Sequence, residues 1–216
     1  SDGHWETVTP DTPAPPHAEM LDAPVLPALV DAHSHAFQRA FAGLAERRDG
    51  AHDDFWSWRD RMYGVALRIT PPQLRSIAAH LYTELLAGGY TQVCEFHYLH
   101  HAEDGRRYDD PATMAWALAD AAADAGIGLT LLPTLYERAG FDAHGLRDDQ
   151  RRFATTVADV LALQRTVRAA GRPLLDSGAA LHSLRAVRPA SLRELADQSD
   201  GPLHIHVAEQ LAEVRD

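Results

Sequence analysis

Two short stretches of this sequence carry residues of the type and spacing that could hold a metal ion and work on water beside it. His33-Ser34-His35 places two imidazoles two residues apart. On an extended strand, residues two apart point the same way, so both rings project from one face and can grip a single ion in a fixed geometry. His206-Val207-Ala208-Glu209 adds a third imidazole and, just beyond it, a carboxylate. Zinc held by three protein ligands with one open position lowers the pKa of its water to about 7. A carboxylate nearby, here Glu209, can then accept the proton. An isolated His-x-His is more often incidental than a ligand pair. The joint occurrence of the two motifs, both at the ends of apolar runs, makes coincidence the minority reading.

Other histidines need separate assignments. His204, two before His206 on the same face, is read as a core residue or a support for the ligands rather than a ligand. His97, His100 and His101 mimic the spacing of a metal cluster but are read as solvated loop or supporting residues. Cys94, inside an apolar run, is read as a small buried hydrophobe. It is the single cysteine, which excludes an internal disulfide framework and a multi-cysteine zinc site.

Composition sets the outer bounds. The 216 residues are 45% hydrophobic and 24% charged, an ordinary globular balance that can bury a sizeable core. A net charge of -11 argues against holding nucleic acid or an anionic membrane by bulk attraction, so an anionic ligand must be met by local arginines. No apolar run approaches the ~20 residues of a spanning helix, and a soluble, cytoplasmic protein is expected. The thirteen histidines are well above ordinary usage.

The elements that must position these residues follow from the hydrophobic pattern. Residues 1–24 are rich in proline and polar residues and read as an irregular lead-in. From Val25, five apolar runs ending in polar residues can be read as strands: Val25 to His35, Thr91 to His100, Ile127 to Tyr136, Gly178 to Val187 and Pro202 to Glu209. Helical spacing is read between them, at Pro71 to Ala87, Pro111 to Ala125, Asp148 to Ala170 and Pro189 to Gln198. Alternating strands and helices imply an α/β fold on a parallel sheet whose strands are buried on both faces. The sheet is either open and doubly wound or part of an eight-stranded barrel of about 250 residues. In both folds functional residues gather at the carboxyl ends of the strands. Four of the five predicted strands bring imidazole to that rim.

Val30-Asp31-Ala32-His33-Ser34-His35 resembles the first-strand signature of the amidohydrolase superfamily, and His206-Val207-Ala208-Glu209 the fifth-strand signature of its deaminase branch. More narrowly, the chain resembles the formimidoylglutamate deiminase family. The likeness runs from about Pro24 to the end, through His33 to Ala40, Phe55-Trp56-Ser57-Trp58-Arg59, Glu95-Phe96-His97-Tyr98, His182 to Val187 and His204 to Gln210. It implies a partial TIM-like (β/α)8 barrel of the metal-dependent hydrolase type, about five of eight units spanning residues 25–216, after a short remnant of a small β domain at 1–24.

The resemblance further implies one zinc on His33, His35 and His206, Glu209 as the proton carrier, and Gln38, Arg59, Tyr98, His182 and Arg185 as substrate contacts, with His182 also stabilising the tetrahedral intermediate. The implied reaction is hydrolysis of N-formimino-L-glutamate to N-formyl-L-glutamate and ammonia in histidine breakdown. Arginine suits a small substrate with two carboxylates, because its planar fork meets each one bidentately. From its own neighbourhood alone, Arg59 is better read as a solvated residue on an amphipathic helix. Two alternatives stay open: a deaminase of the same superfamily acting on a nucleobase-like ring, or a truncated metal-binding copy without turnover.

Family members continue for roughly as many residues again, with a sixth-strand histidine and an eighth-strand aspartate that is a further zinc ligand, and the full-length enzyme is implied to be a homodimer. Five of eight strands would leave two open edges. The 216 residues alone are therefore expected to be loosely folded or insoluble, and inactive.

Overall fold

Every strand pair in the structure is parallel, and the helices lie in the connections, as parallel pairing requires. The computed structural model describes residues 6–44 and 55–215. In chain order the elements are β1 (Leu29–Ser34), α1 (Phe55–Ala66), α2 (Pro71–Ala87), β2 (Tyr90–His97), α3 (Thr113–Ala125), β3 (Gly128–Leu135), α4 (Val157–Ala169), β4 (Leu175–Ser177), β5 (Ala179–Ser183), α5 (Pro189–Gln198), β6 (Leu203–His206) and α6 (Leu211–Arg215). Two 3-10 turns, Ala36–Phe41 and Asp148–Phe153, sit beside the site described below. Residues 6–28 form no helix or strand and are exposed throughout, and residues 1–5 lie outside the described residues.

The strand order is β1-β2-β3-β5-β6, with β4 also paired to β3. In a flat sheet, four spacings of about 4.8 Å would put the first and last strands about 19 Å apart. His33 on β1 and His206 on β6 instead bring their Nε2 atoms to 3.1 Å. The sheet is therefore strongly curled. It forms part of a barrel, with an apolar layer of β2, β3, α2, α3 and α4 residues packed behind it.

Capping explains where the helices begin. Thr70 opens α2 with a reciprocal cap, its hydroxyl accepting from the Gln73 N–H while the Gln73 side chain accepts from the Thr70 N–H, and Pro71 fills the first helical position. The continuous helix expected over 148–170 is broken for the same reason. Thr156 accepts from the Asp159 N–H and Asp159 accepts from the Thr156 N–H, which starts α4 afresh and leaves 148–153 as a separate 3-10 turn.

Three other expectations are corrected. The fourth predicted strand, Gly178 to Val187, is only the short β5, and a second short strand that was not predicted, β4, lies just before Gly178. A Cβ at Gly178 would lie 2.2 Å from the Pro202 carbonyl oxygen, so the backbones of these neighbouring segments approach as only glycine permits. Secondly, β1 and β6 are not buried on both faces. They end the sheet among the described residues, and Leu29, Val30 and Leu203 are exposed there. Thirdly, Cys94 is only partly buried. No described helix is long and apolar enough to cross a membrane.

Candidate active site

Imidazoles from the two ends of the sheet meet at its carboxyl rim. The Nε2 atoms of His33, His35 and His206 lie 3.0, 3.3 and 3.1 Å from one another. Three neutral imidazoles cannot satisfy all three contacts by hydrogen bonding among themselves, whereas a cation between their lone pairs can. Nitrogens 2.0–2.1 Å from a zinc ion and at the tetrahedral angle are about 3.3 Å apart, so the observed triangle has the size of such a site. The tautomer of His35 agrees with this. The Nδ1 of His35 faces the Phe96 carbonyl at 3.2 Å; since a carbonyl only accepts, Nδ1 carries the proton and Nε2 keeps its lone pair.

Burial lowers all three imidazole pKa values, His35 well below 6.5, with neighbouring imidazoles adding to the effect at His33 and His35 and the Arg185 charge adding to it at His206. The lowered values favour the neutral imidazole, the form able to ligate a metal. Phe96 from β2 stacks on His206 with ring centroids 4.4 Å apart and tilts against His33 and His35, giving the ligands an apolar wall.

A buried carboxylate holds the turn that follows the His-x-His pair. Glu95 on β2, paired in register with Ser34, accepts from the Ala36 N–H at 2.7 Å and from the Tyr82 hydroxyl of α2 at 3.2 Å. The backbone after His35 is thereby tied to both the sheet and the helix layer.

The triangle opens into a cavity of about 270 Å³ that also contains Gln38, Arg59, Tyr98, His182, Arg185 and Glu209, so every residue the sequence nominated lines one space. Gln38 reaches Tyr98 at 3.5 Å, the long end of hydrogen bonding. The His182 ring lies 5.3 Å from that of His206, and burial keeps its pKa well below 6.5. Arg59, expected from its local sequence to be solvated, lies on the face of α1 that closes the cavity. Glu209 is half-buried and forms a close ion pair with Arg185. Burial pushes the Glu209 carboxyl up while Arg185 opposes the shift. Glu213 of α6 accepts from the Glu209 N–H at 2.9 Å and lies 3.7 Å from the Arg185 Nε.

The remaining histidines are not ligands among the described residues. His97 and His100 are fully buried rather than solvated, and His100 and His101 use their Nε2 atoms on the carbonyls of Thr134 and Ala154. Side chains alternate along a strand, so with Phe96 turned to the ligands, His97 turns to the other face. His204 is part-buried and lies outside the triangle.

Several cavity residues were not nominated from sequence: Trp58, Met62 and Tyr63 of α1, Tyr136, and Gln150. Tyr136 closes the third apolar run and was accessible to the strand-end rule. Gln150 gave no local signal, and neither did Arg152. The Arg152 guanidinium, wholly buried, donates to the carbonyls of Ala66 and Ile69 and, at 2.9 Å, to that of His101, clamping the end of α1 to the loop after β2.

Residues 25–216 match the sequence model of the amidohydrolase family. The chain is 47% identical over 222 residues to formimidoylglutamate deiminase of Pseudomonas aeruginosa, covering 100% of this chain and 48% of that protein. It is similar in structure to an amidohydrolase from Brucella melitensis, with a TM-score of 0.81 and 46% identity over 88% of this chain and 43% of that one. An adenosine deaminase from Xanthomonas campestris with bound zinc gives a TM-score of 0.62 and 25% identity over 88% of this chain and 38% of that one. The chain thus spans about half the length of the relatives it matches.

Proposed function

The chain belongs to the amidohydrolase family, and on that premise we propose that it supplies the front half of the active site of a zinc-dependent deiminase acting on N-formimino-L-glutamate. The observation that carries this reading is the joining of the His33–His35–His206 triangle, in one cavity, with a half-buried carboxylate and two arginines. Zinc on the three imidazoles would lower the pKa of water towards 7 and so provide a nucleophile at neutral pH. Glu209 takes the proton of the attacking water and returns one to the departing nitrogen. Its half-buried position, with burial and Arg185 pulling its pKa in opposite directions, suits a group that must both accept and release a proton.

Water adds to the formimino carbon, the bond to the terminal nitrogen breaks, and ammonia leaves with N-formyl-L-glutamate behind. His182, lining the cavity beside His206, stabilises the tetrahedral stage. Arg59 and Arg185 receive the two carboxylates, with Gln38 and Tyr98 lining the same cavity as further substrate contacts. The Arg185–Glu209 pair implies an order of events: a carboxylate arriving at Arg185 competes for its guanidinium and frees Glu209 towards the water.

The test is ammonia release from N-formimino-L-glutamate by the full-length protein, with cytosine and guanine as competing candidates. Glu209→Gln is expected to lower kcat by about 10²–10⁴-fold while zinc content stays at the wild-type level. Turnover of a ring in preference to the diacid would overturn the substrate; unchanged turnover in the variant would overturn the role of Glu209.

A further inference from the structure

Tyr63, Tyr136 and Gln150 line the same cavity and have no part in the chemistry just described. They come from three separate elements: α1, the end of β3 and the 3-10 turn at Asp148–Phe153. All are buried, Gln150 to 2% exposure. The Gln150 Nε2 donates to the Tyr63 hydroxyl at 3.2 Å and to the Tyr136 hydroxyl at 3.1 Å. Its Oε1 accepts from the Arg147 N–H at 3.1 Å. That last bond fixes the polarity of the amide, because a flipped amide would set two donors against each other.

Counting protons then leaves one over. Both phenol oxygens act as acceptors towards Gln150, so both O–H protons point elsewhere. The two phenols lie against each other and can use at most one of those protons between them. At least one O–H is left to donate into the cavity, since no other acceptor meets either hydroxyl among the described residues. A cation stands beside it. Arg59, one helical turn before Tyr63, holds its guanidinium carbon 5.5 Å from the centre of the Tyr63 ring. A guanidinium next to an oriented neutral O–H is a seat for an anion, and offers less to an amide or an ammonium group.

We infer that Tyr63 and Tyr136, oriented by Gln150, form with Arg59 the seat of one substrate carboxylate, and that this wall selects diacids over analogues with a neutral far end. The inference rests on the proposed diacid substrate and adds residues to it that determine specificity. Gln150 is a positioning residue, because it acts only through the two phenols.

The experiment uses the full-length protein with Tyr63→Phe and Tyr136→Phe, singly and combined, and with Gln150→Glu, whose carboxylate would draw both phenol protons to itself. Phenylalanine keeps the ring packing, and zinc content serves as the check that each variant is folded. Two readouts are taken: steady-state kinetics on N-formimino-L-glutamate and on N-formiminoglycine, and calorimetric binding of glutarate. For the double Phe variant and for Gln150→Glu, KM for the diacid and Kd for glutarate are expected to rise roughly tenfold to hundredfold. KM for the monoacid is expected to move less than about twofold, a split that a general loss of packing would not produce.

Diacid KM and glutarate Kd within twofold of wild type would overturn the inference even if the enzyme hydrolyses N-formimino-L-glutamate. Glutarate binding that weakens in the variants, in a protein that releases no ammonia from N-formimino-L-glutamate, would uphold the carboxylate seat and overturn the proposed substrate. Wild-type protein that neither binds glutarate nor turns over the diacid would overturn both.

Discussion

Replacing Arg152 with methionine should loosen α1 and weaken substrate binding without touching a ligand or a reacting group. The guanidinium is wholly buried and donates to three backbone carbonyls, those of Ala66, the last residue of α1, of Ile69 in the link that follows, and of His101. Methionine fills similar volume but donates nothing, so all three acceptors lose their partner. Each unsatisfied buried group costs about 1–3 kcal/mol. Water at the end of α1 and relief from burying a charge recover part of that, leaving a net loss of roughly 3 kcal/mol.

Because the clamp joins α1 to the loop after β2, the loss should appear first as local opening. Three kcal/mol corresponds to about a hundredfold faster amide exchange, confined to residues 55–69. Hydrogen exchange read by mass spectrometry on the full-length protein measures this directly. The cavity residues Trp58, Arg59, Met62 and Tyr63 all ride on α1, so KM should rise in parallel. Arg152→Lys should fall between the two, since an ammonium cannot span three carbonyls as a planar fork does. Exchange over α1 within threefold of wild type in the methionine variant would refute the clamp.

Three further outcomes are expected. Burial pushes the Glu95 carboxyl up to about 7 from an ordinary 4.5, against the pull of its hydrogen bonds; the native state then holds a proton that the unfolded chain has lost, so stability falls as pH rises from about 4.5 through 7, by on the order of 3 kcal/mol. Denaturant melts at pH 5 and pH 8 should show a smaller difference for Glu95→Gln than for wild type, and an equal difference would contradict this. Gly178→Ala should lose roughly 1–3 kcal/mol in denaturant melts, because the new methyl meets the Pro202 carbonyl oxygen and the β5–β6 pairing that carries His206 must part; wild-type stability would count against the close approach. His206→Ala should weaken zinc binding by more than about a hundredfold in competition with a chromophoric chelator, and full retention of zinc would remove His206 from the ligand set.

What the sequence by itself determined is the part that follows from local backbone geometry. His33 and His35 share a face because a strand repeats every two residues, and Thr70 and Pro71 open α2 because the first turn of a helix needs a side-chain cap and can spare an N–H. The family signatures around His33, His182 and His206 likewise marked the strand ends that make the rim. Local pattern failed where the deciding contact lies far along the chain. The neighbourhood of Arg59 alone reads as solvated, and only the resemblance nominates it; what lays α1 along the cavity includes the clamp from Arg152, 93 residues away by number. Spacing could not separate His97 from a ligand, because the choice depends on which face Phe96 takes against rings from β1 and β6.

Only the tertiary structure decided that His206, on the last strand of the order, closes a triangle with the first. Pairwise strand geometry is local, but curl accumulates over the whole sheet. That accumulated curl brings 3.1 Å out of a separation that a flat sheet would hold near 19 Å.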